Sequence, residues 1–412
     1  MYNLHLSAEQ LEIRDTVHDF VRRQVKPVVL KADRLDACDR RLPVALLDQA
    51  SQLGLRTLAL AEDHGGAGAD QLTCAIVTEE LAAGDADIAA TLAETARLGH
   101  LLFGRAMSAG QRHRLLPLFV DDDRCQLAYA RHEADADASL GVNYHRPIAA
   151  GGELRTAAVR ADNGDWIVNG VKTCVGNAPV AGLFAVAAKI SGRLGSGIVM
   201  VPFDAPGLTV QAHERAWRHG PCGEVTFKDC RVPADNLLSD DAAALLDNDE
   251  SSGRGSALRQ AIALGIGRAA YEAAIDYAKL RVQGGRPLIE HQAIGTKLAE
   301  IAIKLEVARA AVWRAAWAGD HPEAYADGSL ADLPLGTIAQ VFTSQAVLEA
   351  AKDAAEVFGA MGVMRDIPMQ KYVHDARIAL HYGGGGNREA KLRIAEALAG
   401  YHRAAPAAIA AE

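Results

Sequence analysis

The stretch DARIALHYGGGGN, residues 375–387, joins two segments that have the apolar periodicity of helices, the second at residues 388–398. Four consecutive glycines, from Gly383 to Gly386, permit backbone with positive φ and the close approach of a ligand. Asn387 stands where a residue can cap a helix, and a helix N-terminus favours an anion such as a phosphate. The local sequence alone therefore predicts either a flexible elbow or a phosphate-binding turn.

The composition limits the classes of protein to which the chain can belong. It has 412 residues, of which 50% are hydrophobic, and this is enough for two or three packed domains. The net charge is −9 without a long basic run, so we expect no nucleic-acid partner. We also expect no membrane association, because no apolar run could span a bilayer. The six cysteines contain no Cys-x-x-Cys pair, which indicates a cytoplasmic protein with reduced thiols and no metal site.

Within the first two thirds of the chain, the pattern of apolar residues changes once. Residues 1–125 have helical periodicity, beginning with the capping box that Ser7 and Gln10 would form. Residues 126–238 contain short runs, several of them β-branched, that are bounded by Gly, Pro and Asp. Within them, Asn-Gly at residues 169–170 is a hairpin signal. The sequence predicts an N-terminal helical domain followed by a middle antiparallel β domain.

The last part of the chain, residues 239–412, is predicted to be helical again. Its first segment, residues 239–255, is acidic and then rich in Ser and Gly, so we predict a linker or mobile loop there. Beyond it, apolar residues repeat every three or four positions through a set of long helices. We predict an α+β fold that ends in a C-terminal four-helix bundle.

Four groups of motifs occur along the chain: LAYARHE at residues 127–133, GDWIVNGVK at 164–172, YAKLRVQGGRPL at 277–288, and FGAMGV at 358–363 through DARI at 375–378. Together they resemble the motifs of the acyl-CoA dehydrogenase family, in the family's order and at similar separations. The resemblance covers nearly the whole chain. It implies the fold described above, with N-terminal helices, a middle β domain and a C-terminal four-helix bundle.

The resemblance also implies a chemistry and a set of binding residues. Family members bind FAD, act on an acyl-CoA or acyl-carrier thioester, and form homotetramers or homodimers in which a neighbouring subunit holds part of each FAD. A Glu removes the α-proton while a hydride leaves Cβ for the flavin, and hydrogen bonds polarise the thioester carbonyl. The positions that match the family's cofactor-binding pattern are Tyr129, Arg281, Gln283, Gly359 and Asn387.

The sequence departs from the family at the catalytic base. The family's Glu follows a Tyr, but here Tyr382 is followed by Gly383, which cannot accept a proton. Some members place the Glu at the start of the first long C-terminal helix, and that position falls on Gly255. Both base positions are therefore vacant. The nearest alternative bases are His132 and Glu133, which follow the motif strand.

Three further observations bear on the site. The family's Trp-Ile-Thr stretch reads CVG at residues 174–176, so a ring-packing Trp and a hydroxyl near the flavin N5 are missing. The second base position is vacant only if the alignment is not shifted by a turn, since Glu250 and Arg254 lie close to it. Arg97 lies on a helix that in the family lines the acyl pocket, where it would either hold an anionic acyl terminus or face solvent.

Three functions remain open on this pattern. The first is a flavoprotein dehydrogenase of an acyl thioester that takes its base from elsewhere in the chain. The second is a non-catalytic subunit that forms a hetero-oligomer with a catalytic homologue. The third is a repurposed member of the family, either a monooxygenase or a flavin-independent lyase or isomerase.

Overall fold

The computed structural model describes residues 5–35, 41–134, 154–193, 195–213, 218–252, 254–381 and 387–398. Tyr382 and the four glycines lie outside these ranges, so the elbow or phosphate-binding turn stays a prediction. In the described part of the chain, no helix is both long enough and apolar enough to cross a membrane.

The N-terminal block consists of helices, as the periodicity predicts. They are α1 (Ala8–Phe20), α2 (Lys26–Val29), α3 (Val44–Gln52), α4 (Gln71–Gly84), α5 (Ala86–Leu101) and α6 (Ala109–Val120). Ser7 begins α1 through the predicted capping box, because its Oγ accepts from the backbone N of Gln10 at 3.0 Å. In return, the Gln10 side-chain oxygen accepts from the Ser7 backbone N at 3.0 Å.

The middle block is a seven-stranded sheet. Its strands are β1 (Gln126–Ala130), β2 (Ala157–Arg160), β3 (Trp166–Gly176), β4 (Ala181–Ile190), β5 (Ser196–Pro202), β6 (Leu208–His213) and β7 (Cys222–Val232). They follow the order β1-β4-β2-β3-β7-β6, and β5 also pairs with β4. Because β1 and β2 run parallel to β4, the sheet is mixed, whereas its other pairings are antiparallel as predicted.

The Asn-Gly pair at residues 169–170 forms no hairpin turn, so that prediction is wrong. Both residues lie inside β3, where the register against β7 shifts between Val168 and Gly170. A Cβ on Gly170 would lie 2.6 Å from the backbone Cα of Thr156, and its φ is 145°. The glycine therefore permits a β-bulge and a close approach of two backbones. The turn between β2 and β3 lies at residues 161–165 instead.

The C-terminal block begins with a helix where a linker was predicted. Its elements are α7 (Ala242–Ser252), α8 (Arg254–Leu280), β8 (Val282–Gln283), β9 (Arg286–Pro287), α9 (Gln292–Asp320), α10 (Glu323–Ala326), α11 (Leu335–Val357), α12 (Met369–His381) and α13 (Arg388–Leu398). The linker prediction for residues 239–255 is wrong because Ala242 and Leu246, one helical turn apart, are both fully buried. Packing of this apolar stripe outweighs the low helix propensity of the Asp and Ser residues.

Two hydrophobic cores connect these blocks. The larger one joins α1, α3, α4 and α5 to α8, α9, α11 and α12, so N-terminal and C-terminal helices share one interior. The second joins the end of α5 and α6 to β1, β4, β5 and α7. The end of β1, helix α5, helix α7 and the start of α8 consequently meet, and the candidate site lies there.

Candidate active site

The end of β1 is tied to α7 by one carboxylate. Tyr129 is 8% exposed, and its hydroxyl donates to Asp247 Oδ1 at 2.7 Å. Arg131 Nε lies 2.7 Å from the same oxygen. His132, the next residue, is half-buried, and its backbone carbonyl accepts from the Thr173 N at 2.9 Å. Tyr129, the predicted flavin contact, is therefore hydrogen-bonded to α7.

Glu133 forms a buried ion pair with Lys172 of β3. The Lys172 Nζ donates to Glu133 Oε1 at 2.7 Å, and the Lys172 and Glu133 side chains are 0% and 6% exposed. The backbone N of Arg155 and that of Thr156 also donate to the carboxylate, at 2.7 and 3.0 Å. Burial raises the pKa of Glu133, but these hydrogen bonds outweigh it and lower the pKa to about 2.

The Glu133 environment argues against its candidacy as the base. A carboxylate whose pKa lies near 2 is a weak proton acceptor at neutral pH. Lys172 also donates to the Arg131 carbonyl at 3.1 Å, which fixes the Glu133–Lys172 ion pair against the backbone after β1. Burial lowers the pKa of Lys172, and the attraction of Glu133 opposes that shift. The arrangement fixes the end of β1 against β3 and keeps both oxygens of Glu133 engaged.

A second charged cluster surrounds Arg97 on α5. Arg97 is only 1% exposed, so the prediction of a surface residue is excluded. Its Nε and Nη2 donate to the two oxygens of Glu94 at 2.9 and 2.8 Å. Its Nη1 donates to Asp249 Oδ2 of α7 at 3.1 Å, and the same oxygen accepts from the backbone N of Gly255 at 3.3 Å. We call Arg97, Glu94 and Asp249 the Arg97 cluster.

Two further guanidinium groups act on the Arg97 cluster from outside it. Burial raises the pKa of Glu94, but the charge and hydrogen bonds of Arg97, together with the charges of Arg218 and Arg259, oppose that shift. The net result is a lowered pKa, so Glu94 stays ionised. Gly255, where a base would be expected, thus lies beside the Asp249 carboxylate, which is paired with Arg97.

A guanidinium from outside the CVG stretch lies against it, which the sequence did not reveal. Arg218 Nη1 donates to the Cys174 carbonyl at 2.8 Å. A Cβ on Gly176 would lie 2.6 Å from Arg218 Nη2, so the guanidinium lies directly over this glycine. The resemblance implies a side-chain hydroxyl near the flavin N5 at this position. A guanidinium supplies N–H donors instead, and the oxygens and N5 of a flavin are acceptors.

Three of the predicted cofactor residues lie together at the far end of the C-terminal helices. Arg281 and Gln283 follow α8, Gly359 follows α11, and all three are exposed. The rings of Tyr277 and Phe358 stack with centroids 4.2 Å apart and join these two helix ends. Gly359 has a φ of 58°, and nothing lies within 4 Å of the position of a Cβ. The site offers donors and unobstructed backbone to a phosphate-containing ligand.

Gly255, the second residue of α8, and Arg281, which follows the end of that helix, lie about 39 Å apart at 1.5 Å per residue. Asn387, the last predicted contact, is buried, and its amide donates to Ser344 Oγ of α11 at 2.8 Å. That contact anchors the start of α13.

The residues present fit FAD in two separate places. The exposed group formed by Arg281, Gln283 and Gly359 suits the phosphate end of the cofactor. Tyr129, Arg218 and the strand residues around them suit the polar edge of the ring. Among the described residues, no group of three or more His, Cys, Asp or Glu side chains could hold a metal ion.

Two site residues escaped the sequence reasoning. Asp249 was missed because residues 239–255 were predicted to be a linker, although Ala242, Leu246 and Asp249 have helical spacing. Arg218 was missed because it lies in the loop before β7, and nothing in the local sequence relates it to Gly176 on β3. The signal in the sequence was the glycine at position 176 in place of a residue with a hydroxyl. A glycine leaves space that a longer side chain from elsewhere in the chain can fill.

Comparisons with known proteins agree with this architecture along the chain. Residues 7–123 match the N-terminal domain of acyl-CoA dehydrogenase, residues 150–230 the middle domain, and residues 252–399 the C-terminal domain. The solved structure of butyryl-CoA dehydrogenase from Megasphaera elsdenii has a TM-score of 0.82 at 26% identity. The match covers 97% of this chain and 100% of that one.

Curated relatives match over similar lengths. An acyl-CoA dehydrogenase of Bacillus subtilis (strain 168) is 31% identical over 391 residues, which are 92% of this chain and 96% of the relative. The benzylmalonyl-CoA dehydrogenase of Aromatoleum aromaticum is 31% identical over 407 residues, 95% of this chain and 98% of that protein. On these matches and on the fold, the chain belongs to the acyl-CoA dehydrogenase family.

Proposed function

We propose that this protein is an FAD-dependent dehydrogenase of an acyl-CoA or related acyl thioester. The observation that carries the proposal is a pair of sites that could hold the two ends of FAD: Arg281, Gln283 and Gly359 at one end, and the Arg218 guanidinium beside Gly176 at the other. FAD, when bound, accepts the hydride that leaves Cβ of the substrate. Tyr129 and Arg218 would orient the ring edge, and Arg281 would neutralise the phosphates.

The exposure of Arg281, Gln283 and Gly359 at the end of α8 supports an oligomer in which each FAD contacts two chains. We therefore propose a homodimer or homotetramer whose Arg281, Gln283 and Gly359 serve the FAD of a neighbour. We also propose a cytoplasmic location, because the five cysteines in the described ranges are free thiols.

A second candidate is the non-catalytic subunit of a heteromeric acyl-CoA dehydrogenase. Arg218 favours it, because the guanidinium lies over Gly176 where the family places a hydroxyl near the flavin. If Arg218 excludes the flavin ring from its place beside Gly176, the chain would keep the fold and associate with a catalytic homologue that binds the ring. The exposed group at Arg281 would then contact the partner's FAD.

The visible spectrum of the purified protein, before and after added FAD, tests both candidates. Flavin absorbance, followed by anaerobic bleaching with a panel of acyl-CoAs, supports the dehydrogenase. Bound flavin that no acyl-CoA bleaches would favour the repurposed monooxygenase. A protein that takes up no FAD by itself but does so with a catalytic homologue would establish the partner-subunit function. A protein that never takes up FAD would leave the lyase or isomerase.

Arg281→Ala provides a matched variant for the exposed group. Loss of a charged hydrogen bond to a phosphate is expected to weaken FAD binding by about 10-fold or more. Arg286→Ala, on the neighbouring exposed strand β9, is the control. Equal FAD affinity of wild type and Arg281→Ala would contradict the assignment of Arg281.

A further inference from the structure

One buried side chain, that of Asn177, joins three elements of the candidate site. Its Nδ2 donates to the Thr91 carbonyl at 3.0 Å, to the Leu127 carbonyl at 3.1 Å and to Thr95 Oγ1 at 3.2 Å. Thr91 and Thr95 lie on α5, and Leu127 lies on β1. Asn177 directly follows β3 and is 2% exposed. Its amide therefore ties the end of β3 and the start of β1 to α5.

The surroundings of this side chain favour an amide nitrogen. Two of its three acceptors are backbone carbonyls, which cannot donate, so the nitrogen of the amide and not its oxygen faces them. The Thr95 hydroxyl gives its own hydrogen to Gln126 Oε1 at 2.9 Å and accepts from the Leu127 backbone N at 3.3 Å. A hydroxyl has one hydrogen and two lone pairs, so Asn177 completes its set of partners. A carboxylate at position 177 would face acceptors only.

The backbone of Asn177 makes the turn that follows β3. Its φ is 62°, in the left-handed region that Asn adopts more readily than most side chains and that glycine adopts without cost. The backbone N donates to the Pro221 carbonyl at 2.8 Å, in the segment before β7. Glycine could make the same turn and the same backbone contact. The three contacts of the amide are therefore what Asn adds at this position.

The groups that would meet the flavin ring lie next to the atoms that Asn177 fixes. Gly176 is the preceding residue, and a Cβ on it would lie 2.6 Å from Arg218 Nη2. Arg218 Nη1 donates to the Cys174 carbonyl at 2.8 Å, so the guanidinium rests on the last residues of β3. The position of this guanidinium consequently depends on where β3 ends relative to α5, and the Asn177 amide determines that.

We infer that Asn177 is a positioning residue for the flavin ring, which it influences through Gly176 and the Arg218 guanidinium. The inference rests on the proposed dehydrogenase function, which places the ring edge beside Arg218. Two-electron reduction adds electron density to the ring, and a nearby guanidinium attracts it. The placement of Arg218 therefore sets the affinity for reduced FAD relative to that for oxidised FAD.

Asn177→Gly tests the inference, because glycine keeps the positive φ and removes only the amide. FAD affinity, measured by titration, should fall by about 10-fold, as expected when a charged hydrogen bond is displaced. The affinity for reduced FAD should fall by about 10-fold more. For a two-electron couple this lowers the midpoint potential of the bound flavin by about 30 mV. A residue that only stabilises the fold would not change this potential.

Asp229→Gly is the matched control for the change to glycine. Asp229 also has a positive φ, 48°, and its Oδ1 accepts from the Asn169 side chain at 3.3 Å. Asn169 lies about 23 Å from Gly176 along β3, at 3.3 Å per residue. This variant should therefore bind FAD with the affinity and the potential of wild type.

Arg218→Met shows whether Asn177 acts through the guanidinium. The potential shift caused by Asn177→Gly should disappear in the Arg218→Met background, because two residues that act through one contact have non-additive effects. If Asn177→Gly fails to fold, as judged by circular dichroism, Thr95→Val replaces it, since it removes the hydroxyl that accepts from Asn177. Thr95→Val should lower the potential, and Thr95→Ser, which keeps the hydroxyl, should lower it less.

The outcomes separate the positioning residue from the function. A wild type that binds FAD, with an Asn177→Gly variant of equal affinity and potential, overturns the inference alone. A weaker affinity with an unchanged potential also overturns it, because it indicates a structural role. A potential shift of equal size with and without Arg218 overturns the route through the guanidinium. A wild type that takes up no FAD overturns the proposed dehydrogenase function, and the inference about Asn177 with it.

Discussion

Two carboxylates, Glu133 and Asp249, each pair with a buried cation, and the structure holds them differently. Glu133 accepts from Lys172 and from two backbone amides, and its pKa is lowered to about 2. Asp249 lies on α7, and its Oδ2 accepts from Arg97 and from the Gly255 backbone N. Glu133 thus ties the end of β1 to β3, whereas Asp249 ties α7 to α5 and to the start of α8. The cation that a buried carboxylate pairs with therefore decides which elements it holds together, since leaving either charge unpaired is costly.

The largest effect is expected from Lys172→Met. Removing the cation leaves Glu133 buried without its charge partner, which typically costs about 3–5 kcal/mol of unfolding free energy. Urea unfolding followed by circular dichroism measures it, with Lys189→Met on the exposed part of β4 as control. An unchanged stability would mean that Glu133 is not held as the structure shows.

Glu133→Gln is expected to change the acid stability of the protein. The folded-state pKa of Glu133 is lowered from 4.5 to about 2, so the ion pair stabilises the fold fully above pH 4.5. That stabilisation disappears as the pH falls from 4.5 toward 2, because the unfolded state then binds the additional proton. Unfolding free energy measured across this window should fall less steeply in Glu133→Gln than in wild type. Parallel profiles would contradict the lowered pKa.

The same variant also separates structure from catalysis. If Glu133 only fixes the strand, folded and FAD-loaded Glu133→Gln should exchange the substrate α-proton at a rate close to that of wild type. A loss of about 100-fold in a well-folded sample would instead make Glu133 the base.

Sequence periodicity predicted the order of the blocks because each element carries its own apolar stripe or alternation. The capping box at Ser7 was equally readable, since it depends on residues three positions apart. The Glu94–Arg97 contact is of the same local kind, on one face of α5. The contact between Arg97 and Asp249 is not, because 152 residues separate them and only the packing of α7 brings them together. The hairpin signal at residues 169–170 failed for a related reason: a neighbouring backbone, at Thr156, decides the conformation of Gly170.

Arg97→Lys is expected to have a moderate effect. Lysine keeps the charge but cannot make the two parallel hydrogen bonds to Glu94 while it donates to Asp249. We therefore expect the free energy of unfolding to fall by about 1–3 kcal/mol. Urea unfolding followed by circular dichroism measures the loss. A stability equal to that of wild type would show that the contacts of Arg97 to Glu94 and Asp249 do not contribute as the structure indicates.

Asp247→Asn is expected to have the smallest effect, and it tests whether α7 links the two regions. Asp247 accepts from Tyr129 at 2.7 Å and pairs with Arg131, but its side chain is 34% exposed and that of Arg131 44%. Solvent screens such a pair, so the loss of stability should be about 0.5–1 kcal/mol. The amide still accepts from Tyr129, whereas its attraction for Arg131 is weaker. Urea unfolding followed by circular dichroism measures the loss. A loss of about 3 kcal/mol or more would show that the pair behaves as a buried one and that α7 depends on it.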